Sequence, residues 1–362
     1  MNQFNCTFVS GELTMKTHFP DNSEIRFSAP CRIDFGGTID IPLLHYTLHH
    51  LEPTTFNIAI NMRTSVTLRP HTPGRVKISS RGFSDADLPA ENLPFNHPLG
   101  LMFAIATYFR VSGVHIHIES SSPPRSALGG SSTAAVALIA ALSKSIDKTI
   151  SKANMAILAY QIESNVARVP CGIQDQLAAA YGGVNAWIFE ALSAAKPFMQ
   201  EQVIPPDLYR KLEKHILIAY CGAPHESKDI NGKWIQQFLN GSTRKNWENI
   251  ISQTKNFITA IKNQDWSTAV TAMQEEVATR CQMTPDVFDD MGNKLCQAAI
   301  ENQCAARFTG AGGGGCIWAI GEDNHIANLK TVWSNMVSDH PDAALLIPSI
   351  ADCGVINEGE MT

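Results

Sequence analysis

The chain has no Cys-x-x-Cys pair, although nine cysteines are scattered through its 362 residues, from Cys6 to Cys353. That spacing argues against a zinc ribbon or a thioredoxin-type redox motif, and an odd, dispersed count is not a disulfide framework. With no signal-peptide pattern at "MNQFNCTFVSGELTMK", the expectation is free thiols in a reducing cytoplasm. No apolar run reaches the roughly 20 residues that span a bilayer. The longest, Ala134 to Leu142, has the length of a buried helix. Basic excess is absent too: a net charge of -6 leaves no electrostatic footprint for nucleic acid or an anionic membrane. Repeats, low-complexity tracts and blocks of like charge do not occur, and nothing in the pattern sets an oligomeric state. What remains is a chain that is 44% hydrophobic and long enough for about two domains.

Periodicity divides the chain into an early β-rich part and a later helical one. "SEIRFSAPCRIDF", "FNIAINMRTSVTLRP", "RVKISS" and "GVHIHIES" read as strands, the first ending at Gly36-Gly37. "SDADLPAENLPFNHPLG", with three prolines, reads as a loop, and "LGLMFAIATYFR" as a helix. "SKANMAILAYQIESNVAR" and "GIQDQLAAAYGG" read as helices, the latter stopping at Gly182-Gly183, and "VNAWIFE" as a strand. Pro197 to Pro206 reads as the seam between halves. Beyond it come a strand at "HILIAYCG", long helices across 228–305, a strand at "CIWAI" and an edge strand near "ALLIPSI". The fold class is α+β in two lobes, divided at 1–200 and 201–362.

Also missing is the lysine of a G-x-x-x-x-G-K-[ST] phosphate loop, yet "PPRSALGGSSTAA" (123–135) runs from a glycine turn straight into a helix. Gly129 and Gly130 would let backbone approach an anion, and the first free N–H groups of the helix would face it with the dipole behind them. Ser131 or Ser132 could cap that helix or offer a hydroxyl to Mg²⁺. On this stretch alone, a capped core helix and a phosphate site are equally good readings.

Three further segments carry polar chemistry. "RFTGAGGGGCIWAI" (307–320) formally matches G-x-G-x-x-G at Gly310, Gly312 and Gly315. A dinucleotide fingerprint needs a strand before and a helix after, and here the order reads as reversed. The glycines therefore point to a backbone approached closely by a ligand or another loop. "APCRIDFGGTIDIP" (29–42) sets Arg32, Asp34 and Asp40 around a Gly-Gly turn, which suits a polar ligand or a surface salt bridge. Glu163 falls near the C-terminal end of its helix, where the dipole disfavours an acid, and Asp175 near the start of the next, where capping is the ordinary explanation. His45, His49 and His50, and separately His115 and His117, lack cysteines or acids at zinc spacing and read as solvated faces.

In this order, "APCR", "PPRSALGGSSTAA", Glu163 with "CGIQDQ", and "TGAGGGGC" resemble the GHMP kinase superfamily, over residues 28 to 320. "CRIDFGGTIDIP" is similar to the R-[VI]-D-[LF]-x-G-G-x-x-D-x-P pattern of its fucokinase and heptose-phosphate kinase branch, one residue shorter between Arg32 and Gly36. The resemblance implies a two-lobed fold with ATP and acceptor sites between the lobes, and phosphoryl transfer from ATP to a hydroxyl of a sugar or sugar phosphate. Mevalonate- or homoserine-like acceptors, and a non-catalytic ligand sensor, are the alternatives. It further implies that Ala127, Leu128, Gly129, Gly130, Ser131, Ser132 and Thr133 hold the nucleotide, and that Ser132 and Glu163 hold Mg²⁺. Asp175 would serve as base or positioner. Arg32 would keep Asp175 ionised and neutralise the transferring phosphoryl group. Asp40, Gly37, Gly312 and Gly313 would meet the acceptor. Ala127 stands where the family has glycine, which is tolerable if that residue takes negative φ. Arg125 is also unusual at its position.

Overall fold

The computed structural model describes residues 24–167, 170–190, 197–222 and 230–360. The first lobe is a sheet covered on one face by helices. Its strands are β1 (Ile25–Phe35), β2 (Thr54–Pro70), β3 (Arg75–Ser80), β4 (Ala86–Pro89), β5 (Val114–Ser120), β6 (Val184–Phe189) and β7 (Phe198–Ile204). The order β1-β2-β5-β3-β4 is antiparallel except for the parallel β3–β5 pair. β2 is 17 residues long, so its first half pairs with β6 while its second half pairs with β5. Between β1 and β2 lies the short helix α1 (Pro42–Thr47).

Four helices cover one face of this sheet: α3 (Gly130–Ser145) and α5 (Gln174–Tyr181) lie against β1 and β2, and α2 (Gly100–Tyr108) and α4 (Lys152–Ala167) pack against α3 and each other. α3 is the "STAAVALIAAL" helix, and every residue from Ser132 to Ser143 is buried, so it runs through the core as its apolar length dictates. On the sheet side, Val114, Ile116 and Ile118 alternate inward from β5 to meet it.

The second lobe follows a single-turn helix α6 (Tyr209–Leu212). It comprises β8 (Ile216–Tyr220), α7 (Ile230–Leu239), α8 (Arg244–Asn263), α9 (Trp266–Met283), α10 (Asp290–Glu301), β9 (Ala305–Phe308), β10 (Cys316–Ile320), α11 (Asp323–Ser338) and β11 (Ala344–Leu346). The four strands form an antiparallel sheet in the order β11-β8-β10-β9, with β11 at an edge as expected. One apolar cluster underlies α7, α8, α10 and α11. Another joins the two sheets through α8 and α9, where Phe257 stacks on Phe35 with ring centroids 4.2 Å apart.

Several elements differ from expectation. The proline-rich segment at 84–100 contains β4. Pro197 to Pro206 is not a seam but holds β7, which hydrogen-bonds to β6, so the expected division at 200/201 falls inside a strand. The second lobe also does not run to the end of the chain: β12 (Ile356–Asn357) returns to pair with β1. The glycine-rich segment at 310–315 is preceded by a strand, β9, rather than a helix, and it links the β9–β10 hairpin. α11 follows β10, where the sequence reading placed no helix. His45 is buried instead of solvated, with Nδ1 on the Asp40 carbonyl and its ring stacked on Phe189. His115 and His117 are partly buried and share the Ser79 hydroxyl at 2.7 and 2.8 Å.

Candidate active site

One cavity of about 580 Å³ is lined by the end of β1, the 122–132 segment, α4, the 171–176 segment, Asn231 and Gly310-Ala311. The lining includes the apolar Phe83, Pro98, Leu101, Met102, Pro123 and Pro124 and the polar Thr38, Asp40, Gln174 and Asn231. The N-terminus of α3 and the acids Glu163 and Asp175 lie in the same cavity wall.

Gly129 is the N-cap of α3, at φ +77°, a left-handed conformation that its lack of a Cβ makes inexpensive. No side chain caps this helix. Ser131 and Ser132 both donate to the Glu163 carboxylate instead, Ser132 at 2.7 Å, and Gln176 Nε2 donates to Glu163 at 2.7 Å. Burial pushes the Glu163 carboxyl above its ordinary range, against the pull of those three donors. Ala127 has φ +58°, contrary to the expectation of negative φ. A Cβ in that region costs on the order of 1 kcal/mol. Ala127→Gly is therefore expected to stabilise the fold by up to about 1 kcal/mol, read as a higher urea midpoint. A lower midpoint would refute the strain.

Arg32 reaches out of β1 with 3% of its surface exposed. Its Nε donates to Asp175 Oδ1 at 2.8 Å, a second nitrogen lies 2.8 Å from the same oxygen, and the third donates to the Ala127 carbonyl at 2.6 Å. All three nitrogens are thus engaged. One N–H on each terminal nitrogen is left over, and Arg32 lines the cavity. Asp175, at the first turn of α5, keeps a quarter of its side chain exposed. Burial raises its carboxyl above the ordinary range and outweighs the opposing pull of Arg32, so the arginine moderates the shift without reversing it.

Asp40 is 2% exposed and accepts the Gln174 backbone N–H at 2.9 Å, while its Oδ1 has no partner. Burial raises its carboxyl to about 6. Gly172 packs directly on it: a Cβ there would lie 1.8 Å from Asp40 Oδ2, so only glycine fits. Two more buried acceptors on the cavity wall, Gln174 Oε1 and Gln176 Oε1, are unpartnered as well. The amide of Gln176 is oriented by its donation to Ser132 and Glu163.

Five of the expected site residues do not line the cavity. Leu128 is buried in the core, and Thr133 turns its hydroxyl back to the Gly129 carbonyl. Gly37 sits beneath Asp34 and Gln174, its carbonyl taken by Arg280. Gly312 and Gly313 turn toward Val287, whose carbonyl accepts the Gly313 N–H at 2.8 Å. Gly310 and Ala311 are the cavity-lining part of that loop. The two glycine-rich segments meet where Cys316 N–H donates to the Ser126 carbonyl at 3.0 Å. The acceptor-side stretch "APHESKDINGKW" lies outside the described residues up to 229, and its first described polar side chain in the cavity is Asn231, which accepts from Thr38.

Beneath the site is an ionic network that the sequence reading missed. Asp34, fully buried, accepts from Gly310 N–H at 2.7 Å and from Arg307 at 3.1 Å, and lies 3.7 Å from Arg32. Arg307 continues to Glu276 at 3.3 Å, and Glu276 to Arg280 at 2.9 Å. Arg280 is held between the Trp234 and Trp247 rings at 4.7 and 4.9 Å. The Glu276–Arg280 pair is i,i+4 on α9, which was the one signal visible in the sequence.

Among the described residues no helix is long and apolar enough to cross a membrane. The model of the GHMP kinases N terminal domain matches residues 96–183. The D-glycero-alpha-D-manno-heptose 7-phosphate kinase of Campylobacter jejuni is 25% identical over 215 residues, 59% of this chain and 63% of that protein. The chain thus spans less than two thirds of that relative's length. A mevalonate kinase from Thermococcus sibiricus is 24% identical across 72% of this chain and 81% of its own. In three dimensions, Lactococcus lactis galactokinase complexed with galactose superposes with a TM-score of 0.72 at 15% identity, covering 92% of this chain and 95% of that one. The matched segment, these relatives and the shared two-lobed architecture agree: residues 96–183 carry a GHMP kinases N terminal domain, and the chain is similar in sequence and in fold to kinases of that group.

Proposed function

We propose that the protein is an ATP-dependent kinase that transfers the γ-phosphoryl group to a hydroxyl of a sugar or sugar phosphate. The observation that carries this reading is the convergence, in one cavity, of the α3 N-terminus, the Glu163–Ser131–Ser132 cluster and the Arg32-held Asp175. Phosphoryl transfer needs positioning and charge compensation more than covalent chemistry, and these parts supply both. The apolar lining residues suit a nucleotide base and the α3 N-terminus suits its phosphates.

Asp175 orients the acceptor hydroxyl and takes its proton as the new P–O bond forms and ADP departs. The raised carboxyl makes it a better base than an ordinary aspartate. Arg32 fixes the direction in which Asp175 points. Ser131, Ser132 and Glu163 are hard oxygen donors around a single carboxylate, a set that fits Mg²⁺ completed by substrate phosphates and water. Once bound, Mg²⁺ supplies positive charge along the phosphates.

The acceptor end favours a polyol. Asp40 Oδ1 and Gln174 Oε1 are buried acceptors without a protein donor among the described residues, and the hydroxyls of a polyol can donate to both. Acceptor affinity is expected to rise with pH through about 6, as Asp40 ionises. At one unit below, only about a tenth of the carboxyl is charged, so affinity falls about tenfold. Calorimetric titration at pH 5 and 7.5 checks this, and Asp40→Asn should flatten the difference. A profile that survives in Asp40→Asn would remove Asp40 from the acceptor site. The eight unpaired thiols among the described residues support a reducing, cytoplasmic setting.

An ADP-release screen over free sugars, sugar phosphates, mevalonate and homoserine, with Mg²⁺, tests the whole reading. Turnover with a sugar-class acceptor is expected. Turnover only with mevalonate or homoserine would overturn the acceptor assignment, and none with any acceptor would favour a sensor.

A further inference from the structure

The proposed donor carries several negative charges into a cavity that already holds Glu163, Asp175 and Asp40. The Walker-type lysine is absent, and Arg32 has its three nitrogens committed to Asp175 and the Ala127 carbonyl. Two other cationic side chains line the cavity, Arg81 and Arg125. Both are exposed, and neither has an ion pair or side-chain hydrogen bond among the described residues. Arg81 directly follows β3. Arg125 lies on the 122–130 segment itself, two residues before Ala127 and four before the Gly129 N-cap.

The backbone at Arg125 adds a second observation. Its φ is +55°, a left-handed conformation that costs a non-glycine residue on the order of 1 kcal/mol. Glycine would hold the turn with less strain, so the turn alone does not explain an arginine there. What arginine adds is a long, charged fork anchored at the mouth of the phosphate-binding segment.

Resting on the kinase reading above, we propose that Arg125 is a donor-binding residue, whose guanidinium contacts the β- and γ-phosphates of the nucleoside triphosphate. It adds positive charge from the loop to that of Arg32, whose nitrogens are already partnered by Asp175 and the Ala127 carbonyl. Because the two residues that follow Arg125 are anchored, Ser126 through its carbonyl to Cys316 N–H and Ala127 through its carbonyl to Arg32, the fork is carried on a segment braced on its C-terminal side.

The test is calorimetric titration of ATP, ADP, AMP and adenosine, with Mg²⁺, into the full chain and its Arg125→Gly and Arg125→Lys variants. Thermal unfolding is measured alongside. Losing a charged hydrogen bond should weaken ATP binding of Arg125→Gly by about 10- to 100-fold. ADP should be affected similarly, AMP less, and adenosine not at all. Arg125→Lys should recover part of the loss, and the Arg125→Gly midpoint should hold or rise as the backbone relaxes. A merely structural role predicts a lower midpoint and equal losses for all four ligands; either result overturns the proposal. Unchanged ATP affinity with weakened binding of a phosphorylated acceptor also overturns it, by assigning the guanidinium to the other substrate. If the wild-type chain binds no ATP, the kinase reading fails, whereas wild-type binding with an unaffected Arg125→Gly sinks the Arg125 role alone.

Discussion

Asp175→Asn is expected to bind ATP with near wild-type affinity and to transfer the phosphoryl group about 10²- to 10⁴-fold more slowly. The amide keeps the shape of the carboxylate and loses both its charge and its ability to take a proton. Arg32 is left with Asp34 as its remaining carboxylate neighbour, at 3.7 Å. Single-turnover measurement with a saturating acceptor reads the chemical step directly. In the wild type, turnover should climb with pH as the raised Asp175 carboxyl ionises, and the variant should lose that climb. ADP release at the wild-type rate with the true acceptor would remove Asp175 from the chemistry. A slow variant that keeps the pH profile would make Asp175 a positioner and move the proton elsewhere.

The second large effect concerns stability. Glu276→Leu should cost about 3–5 kcal/mol, read as a fall in the urea midpoint. Glu276 is the anion shared by Arg307 and Arg280, and all three are fully buried. Removing it leaves the buried Arg280 with no carboxylate partner and Arg307 with Asp34 alone. By contrast, Asp87→Ala should leave the midpoint unchanged, because the Arg75–Asp87 pair is about 40% exposed on both sides. A Glu276 variant as stable as the wild type would mean that the network is hydrated or rearranges freely. Because Asp34 joins that network to Gly310 and Arg32, the same variant should also disturb the site.

Much of the site was legible because its residues sit in local motifs. "CRIDFGGTID" places Arg32 and Asp40 around one turn, and "CGIQDQ" sets Asp175 on the first turn of α5. Glu163 stood out as an acid against the dipole of its own helix. The α3 core helix could be read from its apolar length alone. What failed to show were relations between distant residues. Asp34 and Arg307 are 273 residues apart, and no local pattern joins them. The serines beside Gly130 looked like caps because their partner, Glu163, lies 31 or 32 residues further on. β7 was missed since "MQEQ" puts polar residues at its centre, where its exposed positions face solvent at a sheet edge. β9 is only four residues long, too short for a period to register. The left-handed φ of Arg125 and Ala127 has no signature in residue type, since both are residues that ordinarily avoid it.

The return of β12 to β1 has a consequence for how the two halves are tied. α1 leaves the first sheet and packs its Leu44, with Ile39, Ile41 and Leu48, into the core of the second lobe before the chain comes back as β2. The chain goes across again after β7 and returns for β12. The lobes are therefore interlaced by two separate excursions and are not beads joined by one linker. A single cut at 200/201 would sever β7 and free neither half, because each would still own pieces of the other's core. Any widening of the cavity between them must then be a flexing about several covalent tethers at once, with little room for one lobe to swivel on the other.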